Sequence, residues 1–491
     1  MTNITDYLKE ERSAAWREEL RKAKKNKERT DLTRVKMPEA PARERARSYV
    51  EVNSGLTPEQ AINEASRCID CANPTCISGC PVGINIPKFI KNIERGEFLD
   101  AARTLKETNA LPAVCGRVCP QEKQCEASCF YQVKMNREPV AIGYLERFAA
   151  DFEQSGGEIS IPEVAAANGT KVAVVGSGPA GLAFAGDMAK FGYDVHILEA
   201  LHEIGGVLKY GIPEFRLPNG VVDVEIESLR KMGVQFETNF IVGKTATIQE
   251  LREEGFKGFF VGSGAGLPRF MNIPGENLVG ILSSNEYLTR VNLMGASTQG
   301  MDTPVMRGKN VVVIGGGNTA MDSVRTALRL GADKATIIYR RSLEEMPARV
   351  EEVKHAQEEG VEFLTLNNPV EYIGDDKGRV KQIRVQKMEL GEPDQSGRRS
   401  PVPVEGSEYI IDADTVVVSV GVSPNPLIPQ SLPDLKVSRW GTLVVDEETF
   451  QTSIPDVFAG GDIVRGGATV ILAMGDGRKA AASMHQYLQG Q

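Results

Sequence analysis

Eight cysteines, all lying between Cys68 and Cys129, are the residues of this chain best suited to chemistry. The first four read Cys68-x2-Cys71-x4-Cys76-x3-Cys80-Pro81, and the second four read Cys115-x3-Cys119-x5-Cys125-x3-Cys129. Thiolates gathered this way, with proline straight after the fourth, suit ligation of iron–sulfur clusters. A zinc site is disfavoured, because the spacings lack the paired CxxC knuckles of structural zinc modules.

Two glycine-rich loops follow. Gly176-x-Gly178-Pro179-Ala180-Gly181 comes after the β-run Val172–Val175 and opens an apolar helical stretch. A second β-run ends in Glu199, 18 residues beyond Gly181. This is the dinucleotide fingerprint in its required context: a turn, a close approach to pyrophosphate, helix–strand packing and an acid for a ribose hydroxyl. The second loop reads Gly315-x-Gly317-Asn318-Thr319-Ala320, with alanine in the third place. Its following strand ends in Arg340-Arg341. A carboxylate there suits the free 2′-hydroxyl of NAD, whereas arginine suits a 2′-phosphate, so NADP(H) is the expected ligand. Arg349 is a further candidate phosphate contact.

The first loop's ligand is decided further along. Gly205-Gly206-Val207-Leu208 and Gly262-Ser263-Gly264 follow it, and Val457-Phe458-Ala459-Gly460-Gly461-Asp462 stands near the C-terminus. That last segment resembles the flavin-binding segment of two-dinucleotide flavoproteins, which implies FAD with Asp462 at the ribityl–phosphate region. Thr469 then opens a helix aimed at the flavin ring, its dipole favouring negative charge there.

The elements that must position these residues are expected in four parts behind a charged extension. The fold class is multidomain α/β: an N-terminal helical iron–sulfur domain, then two doubly wound, Rossmann-like domains. Residues 1–50 form the extension, read as a solvated helix and a linker near Met37-Pro38, with no function assigned. Residues 51–165 form the helical cluster domain, with Phe89, Ile90 and Ile93, then Phe98, Ala102 and Leu105, at helical spacing. Residues 166–295 begin the FAD domain, 296–424 form the NADP domain, and 425–491 complete the FAD domain.

Bulk properties exclude other classes. A net charge of -9 argues against nucleic acid, and no apolar run approaches the roughly 20 residues of a membrane span. The densely charged N-terminus does not read as a secretory signal, and clustered cysteines without export point to metal binding in the cytoplasm. With no cysteine after Cys129, the disulfide chemistry of thioredoxin-reductase-like enzymes is excluded.

With these motifs in place, the chain resembles the small-subunit family of NADPH-dependent glutamate synthase, from about residue 37 to the C-terminus. The resemblance is carried by Cys76–Val82, Leu111–Pro120, Gly205–Pro218, Gly315–Asp322 and Phe458–Arg465. The wider family includes the N-terminal half of dihydropyrimidine dehydrogenase and the large subunit of NADH-dependent ferredoxin:NADP oxidoreductases. The resemblance implies two 4Fe-4S clusters with crossed ligation: Cys68, Cys71, Cys76 and Cys129 on one, Cys80, Cys119 and Cys125 on the other. Counting gives the last ligand to Cys115, while the family's non-cysteine ligand falls at Glu146. Glu146 is preferred, which leaves Cys115 as a buried thiol beside the cluster. Arg216 is expected near the flavin by the same analogy.

The implied electron order is NADPH, FAD, two clusters, acceptor, with side chains holding cofactors rather than acting as catalysts. The expected partner is a large subunit that forms glutamate from glutamine and 2-oxoglutarate. The alternative is a ferredoxin-type (or sulfide/polysulfide) acceptor for an oxidoreductase of the same fold. Assembly into a homo-oligomer is left open.

Overall fold

The computed structural model describes residues 4–156, 159–298, 300–394 and 397–490. Helices occupy the cysteine-rich part, among them Ile86–Glu94, Phe98–Lys106, Pro112–Val118 and Ile142–Ser155. Phe89, Ile90, Ile93, Ala102 and Leu105 all face its core, as their spacing predicts.

The first glycine loop belongs to a parallel sheet of order Val457–Ala459, Phe256–Val261, Lys171–Val175, Asp194–Leu198, Gln235–Glu237. The second belongs to a parallel sheet of order Ile281–Ser283, Thr415–Val418, Asn310–Ile314, Lys334–Tyr339, Glu362–Thr365. Strands covered on both faces read as near-continuous apolar runs, which is why Val172–Val175 and Val311–Ile314 were legible. The chain enters the second sheet earlier than residue 296: Ile281–Ser283 is that sheet's edge strand, and Tyr287, Leu288 and Val291 of the next helix pack in its core. The first sheet is completed only when the chain returns at Val457. Leu267–Pro268 and Val422–Ser423 pair antiparallel at the two crossings.

One layer was absent from the sequence reading. A four-stranded antiparallel sheet, built on Val380–Pro393, is inserted in the second unit between Glu362–Thr365 and Thr415–Val418.

The N-terminal extension also differs from expectation. It is not a solvated arm: Arg17, Arg29 and Arg45 are buried. Burying a guanidinium requires a paired acceptor. Asp70 receives Arg17, Glu94 receives Arg29, and Glu358 and Glu359 receive Arg45. Basic residues spaced among acids gave no hint of these distant partners.

Candidate cofactor site

A continuous cavity of about 2210 Å³ joins the two glycine loops. Gly176, Gly178, Pro179, Ala180, Glu199, Gly206, Arg216, Gly264, Asp462 and Thr469 line its first half. Gly315, Gly317, Asn318, Thr319, Arg340 and Arg341 line its second. The glycines divide their labour as the fingerprint requires. A Cβ on Gly181 would sit 2.1 Å from the Gly176 carbonyl oxygen, so that residue serves helix–strand packing. A Cβ on Gly178 or Gly317 would meet nothing within 4 Å, leaving backbone open to a pyrophosphate at a helix N-terminus. Gly181, Leu208 and Ala320 therefore support the cavity from behind, and Leu208 and Ala320 are wholly buried.

Glu199 ends its strand with a carboxylate fixed from both sides. One oxygen accepts from the Ser177 amide (2.9 Å) and hydroxyl (2.6 Å), the other from the Leu201 amide (2.8 Å). Asp462 accepts from the Ala468 amide at 3.0 Å, and burial raises its carboxyl above the usual range. Asp476, which sequence reasoning missed, braces this corner by accepting from the Gly461 amide and, through both oxygens, from Arg465.

In the second half, Arg340 is exposed at the cavity wall, while Arg341 is buried and pairs with Asp394 and the Arg399 carbonyl. Arg398, from the same inserted hairpin, also lines the cavity and was not foreseen. Arg349 is a correction. Its guanidinium points away from the cavity, donating to the Arg117 carbonyl (2.6 Å) and Gln121 Oε1 (2.8 Å) in the helical part. A buried arginine takes the nearest carbonyl and amide oxygens, and here these lie across the seam. Arg216 does reach the cavity, where it pairs with Asp322 at 2.9 Å across the two units. Burial pushes the Asp322 carboxyl up to about 6, with Arg216 opposing.

None of the eight cysteines is paired in a disulfide, and they form two neighbouring groups. Cys76 lies within electrostatic reach of Cys68, Cys129 and Cys71. Cys125 senses Glu146 and Cys80, and Cys119 senses Cys115, Glu146 and Cys125. Burial pushes Cys80 up to about 11 and Cys71 to about 12, while Cys119 is raised first by its contact with the Cys115 thiol and then by burial. Glu146 is wholly enclosed, holds one hydrogen bond from Asn109 (2.8 Å), and is pushed by burial up to about 8. Cys115 Sγ instead contacts Met474 Sδ at 3.5 Å and Asn109 at 3.7 Å.

This donor set fits a polynuclear cluster better than a single ion. A tetrahedral zinc needs sulfurs about 3.8 Å apart. Among the described residues no three cysteine sulfurs approach within 4.8 Å of one another. The wider spread suits thiolates at the corners of an iron–sulfur cube. The one tight trio, Glu39, Glu351 and His355, is already matched by cations: Arg45 and Lys354 on Glu39, Arg349 on Glu351.

The C-terminal helix Val470–Gln489 connects cavity and thiols. Thr469 caps it at the cavity, Ala473 lines the cavity, and Met474 touches Cys115. A Cβ on Gly475 would lie 3.0 Å from the Pro81 carbonyl oxygen, and Arg478 donates to the Val82 carbonyl at 3.0 Å.

Comparison with known proteins decides the family. Residues 45–158 match the model for dihydropyrimidine dehydrogenase domain II with its 4Fe-4S cluster, and residues 170–477 match the pyridine nucleotide-disulphide oxidoreductase model. The glutamate synthase (NADPH) small chain of Azospirillum brasilense is 38% identical over 466 residues, covering 94% of this chain and 96% of that one. The chain belongs to the glutamate synthase (NADPH) small-chain family. The Escherichia coli small chain of this family is 37% identical, over 94% of this chain and 98% of its own length. The β subunit of the NADPH-Fe(3+) oxidoreductase of Geobacter sulfurreducens is 36% identical, over 86% of this chain and 65% of that one. Among solved structures, Mycobacterium tuberculosis FprA in complex with NADPH superposes with a TM-score of 0.55 at 20% identity, over 66% of this chain and 85% of that one, a likeness of fold. As a member of the small-chain family, the chain is an oxidoreductase with a 4Fe-4S domain ahead of its FAD- and NADP-binding units. No helix among the described residues is long and apolar enough to cross a membrane.

Proposed function

We propose that this chain is the electron-input subunit of an NADPH-dependent glutamate synthase, working with a large subunit that forms glutamate from glutamine and 2-oxoglutarate. The observation that carries the reading is the continuous cavity between two glycine loops, with one helix running from it to the cysteine groups. Family membership over nearly the whole chain names the partner class. When bound, FAD and two 4Fe-4S clusters supply the conversion of a two-electron donor into one-electron carriers leading to the acceptor.

The chain's own residues hold and orient. Gly178 and Gly317, lining the cavity, would admit the two pyrophosphates; Glu199 would hold the ribose of FAD, and Asp462 with the Thr469-capped helix would hold the rest of the flavin. Arg340 and Arg398 offer cations to the 2′-phosphate of NADPH, while Arg341 ties down the hairpin that carries Arg398. Arg216 and Asp322 close the seam between the two nucleotide units. Cys68, Cys71, Cys76 and Cys129 would hold one cluster; Cys80, Cys119, Cys125 and Glu146 would hold the other, with Cys115 packed beside it.

The test is NADPH oxidation by the anaerobically purified chain, with flavin and iron measured on the same sample. Glutamate formed only when a large subunit is added supports the reading. Rapid ferredoxin or ferric iron reduction, without glutamate under any partner condition, favours the NADPH:acceptor oxidoreductase instead. The Geobacter relative's name makes that second reading specific.

A further inference from the structure

The N-terminal arm, expected to be solvated, is laid on the loop between Cys68 and Cys71. Asp70 stands in that loop with φ at 52° and is wholly buried. A non-glycine residue in the left-handed region persists only where its surroundings over-determine it. Here three arm residues do so. Arg17 takes one carboxylate oxygen and Arg21 the other, while Arg12 Nε donates to the Asp70 carbonyl at 2.9 Å. The arm is pinned beyond this point too: the Arg95 guanidinium lies 4.2 Å from the Trp16 ring centre, and Lys88 pairs with Glu11 at 3.0 Å.

The clamp faces the sulfurs directly. The Asp70 charge is felt by both Cys68 and Cys71. On the other side Lys91 donates to the Cys68 carbonyl and pairs with Glu94, which also receives Arg29. A lone buried carboxylate beside a cluster disfavours each added electron. Two guanidiniums on that carboxylate leave a net positive charge instead, and Coulomb terms are weakly screened where water is excluded. Cluster potentials respond to such local charge, to hydrogen bonds on sulfur and to solvent exposure.

We propose that Arg17 and Arg21 are positioning residues which, through Asp70, make the cluster held by Cys68, Cys71, Cys76 and Cys129 easier to reduce, so that the arm sets the order of electron flow. This rests on the electron-transfer reading above and adds a role for a segment outside every cofactor motif.

The experiment is a potentiometric titration of the full-length, cluster-loaded chain, followed by electron paramagnetic resonance, with iron content measured alongside. Arg17→Gln and Arg21→Gln are expected to move one cluster to more negative potential and leave the other in place. Asp70→Asn, with both arginines present, is expected to move the same cluster to more positive potential. Arg21→Lys, which keeps the charge, is expected to restore the wild-type value. A merely structural clamp behaves differently: loosening it from either side exposes the same loop, so all neutralising variants shift in one direction. That result, or potentials that do not move, overturns the proposal. Should Asp70→Asn lose its iron, the contrast between Arg21→Gln and Arg21→Lys still decides, because Arg21 is the most exposed of the three groups. Equal potentials in that pair overturn the proposal. Wild-type protein without iron–sulfur signals overturns the electron-transfer reading itself.

Discussion

On the proposed function, Arg340 is expected to weigh on cofactor choice, since it stands exposed at the cavity wall while its neighbour Arg341 is held by Asp394. A hydrogen bond to a charged group contributes about 1.5–3 kcal/mol. Arg340→Ala is therefore expected to raise KM for NADPH about 10- to 100-fold while leaving NADH use unchanged, as steady-state kinetics with both cofactors will show. Glu146 and Cys115 make a second contrast. Glu146→Ala is expected to lose the iron of one cluster and Cys115→Ser to keep both, measured by iron analysis and electron paramagnetic resonance. Much of this site was legible because its chemistry is local: glycines, strand-end acids and arginines, and thiol spacings are all read within a few dozen residues. Arg349 was misread, and Asp322 and Asp476 were missed, because their partners lie on other elements, while Arg398 was missed with the inserted hairpin that carries it. An arginine near a phosphate loop and an arginine across a seam look the same in sequence.

Among elements, the Val470–Gln489 helix joins the cavity to the cysteine groups. One turn separates its cap in the cavity from its contact with Cys115, and Gly475 lets it press against Pro81. Gly475→Val forces atoms against that backbone carbonyl, an overpacking that costs on the order of 1–3 kcal/mol. The expected phenotype is normal flavin content and normal reduction by NADPH, with slower passage of electrons onward, seen as delayed flavin reoxidation in stopped-flow absorbance. The two glycine strands and their helices were plain in the sequence, because buried parallel strands are continuous apolar runs. The inserted antiparallel sheet was overlooked, although Ile383 and Val385, buried and interleaved with polar residues in Val380–Pro393, carry the period-two alternation of a half-exposed strand.

Across the whole molecule, a buried knot of charge ties the N-terminal segment to the second nucleotide unit. Arg45 meets Glu358 and Glu359, Arg325 meets Glu352 and Glu359, and Arg329 meets Glu359, with both Arg325 and Arg329 stacked on Phe215. Burial alone raises the carboxyls of Glu352 and Glu359, but the arginines overcome it and hold both at about 2. Because these folded-state values lie below those of the unfolded chain, their stabilisation is complete above about pH 4.5 and drains away as pH falls towards 2. Calorimetry between pH 6 and 3 is expected to show Tm falling with acid. Glu359→Gln should lower Tm at neutral pH, since a broken buried pair costs about 3–5 kcal/mol, and flatten the acid dependence.

The interrupted first sheet carries a consequence for how the molecule is made. Four of its strands leave the ribosome before the second unit, and the fifth, Val457–Ala459, leaves after it. Asp462, the Thr469 cap and the helix that covers Pro81 and Val82 come later still. Domains generally fold as they emerge, N-terminal parts first. The Pro81–Val82 face of the cysteine-bearing part, synthesised early, is thus covered only when this last helix docks. The proposed flavin seat is finished by the same helix, so both sites close in one late step.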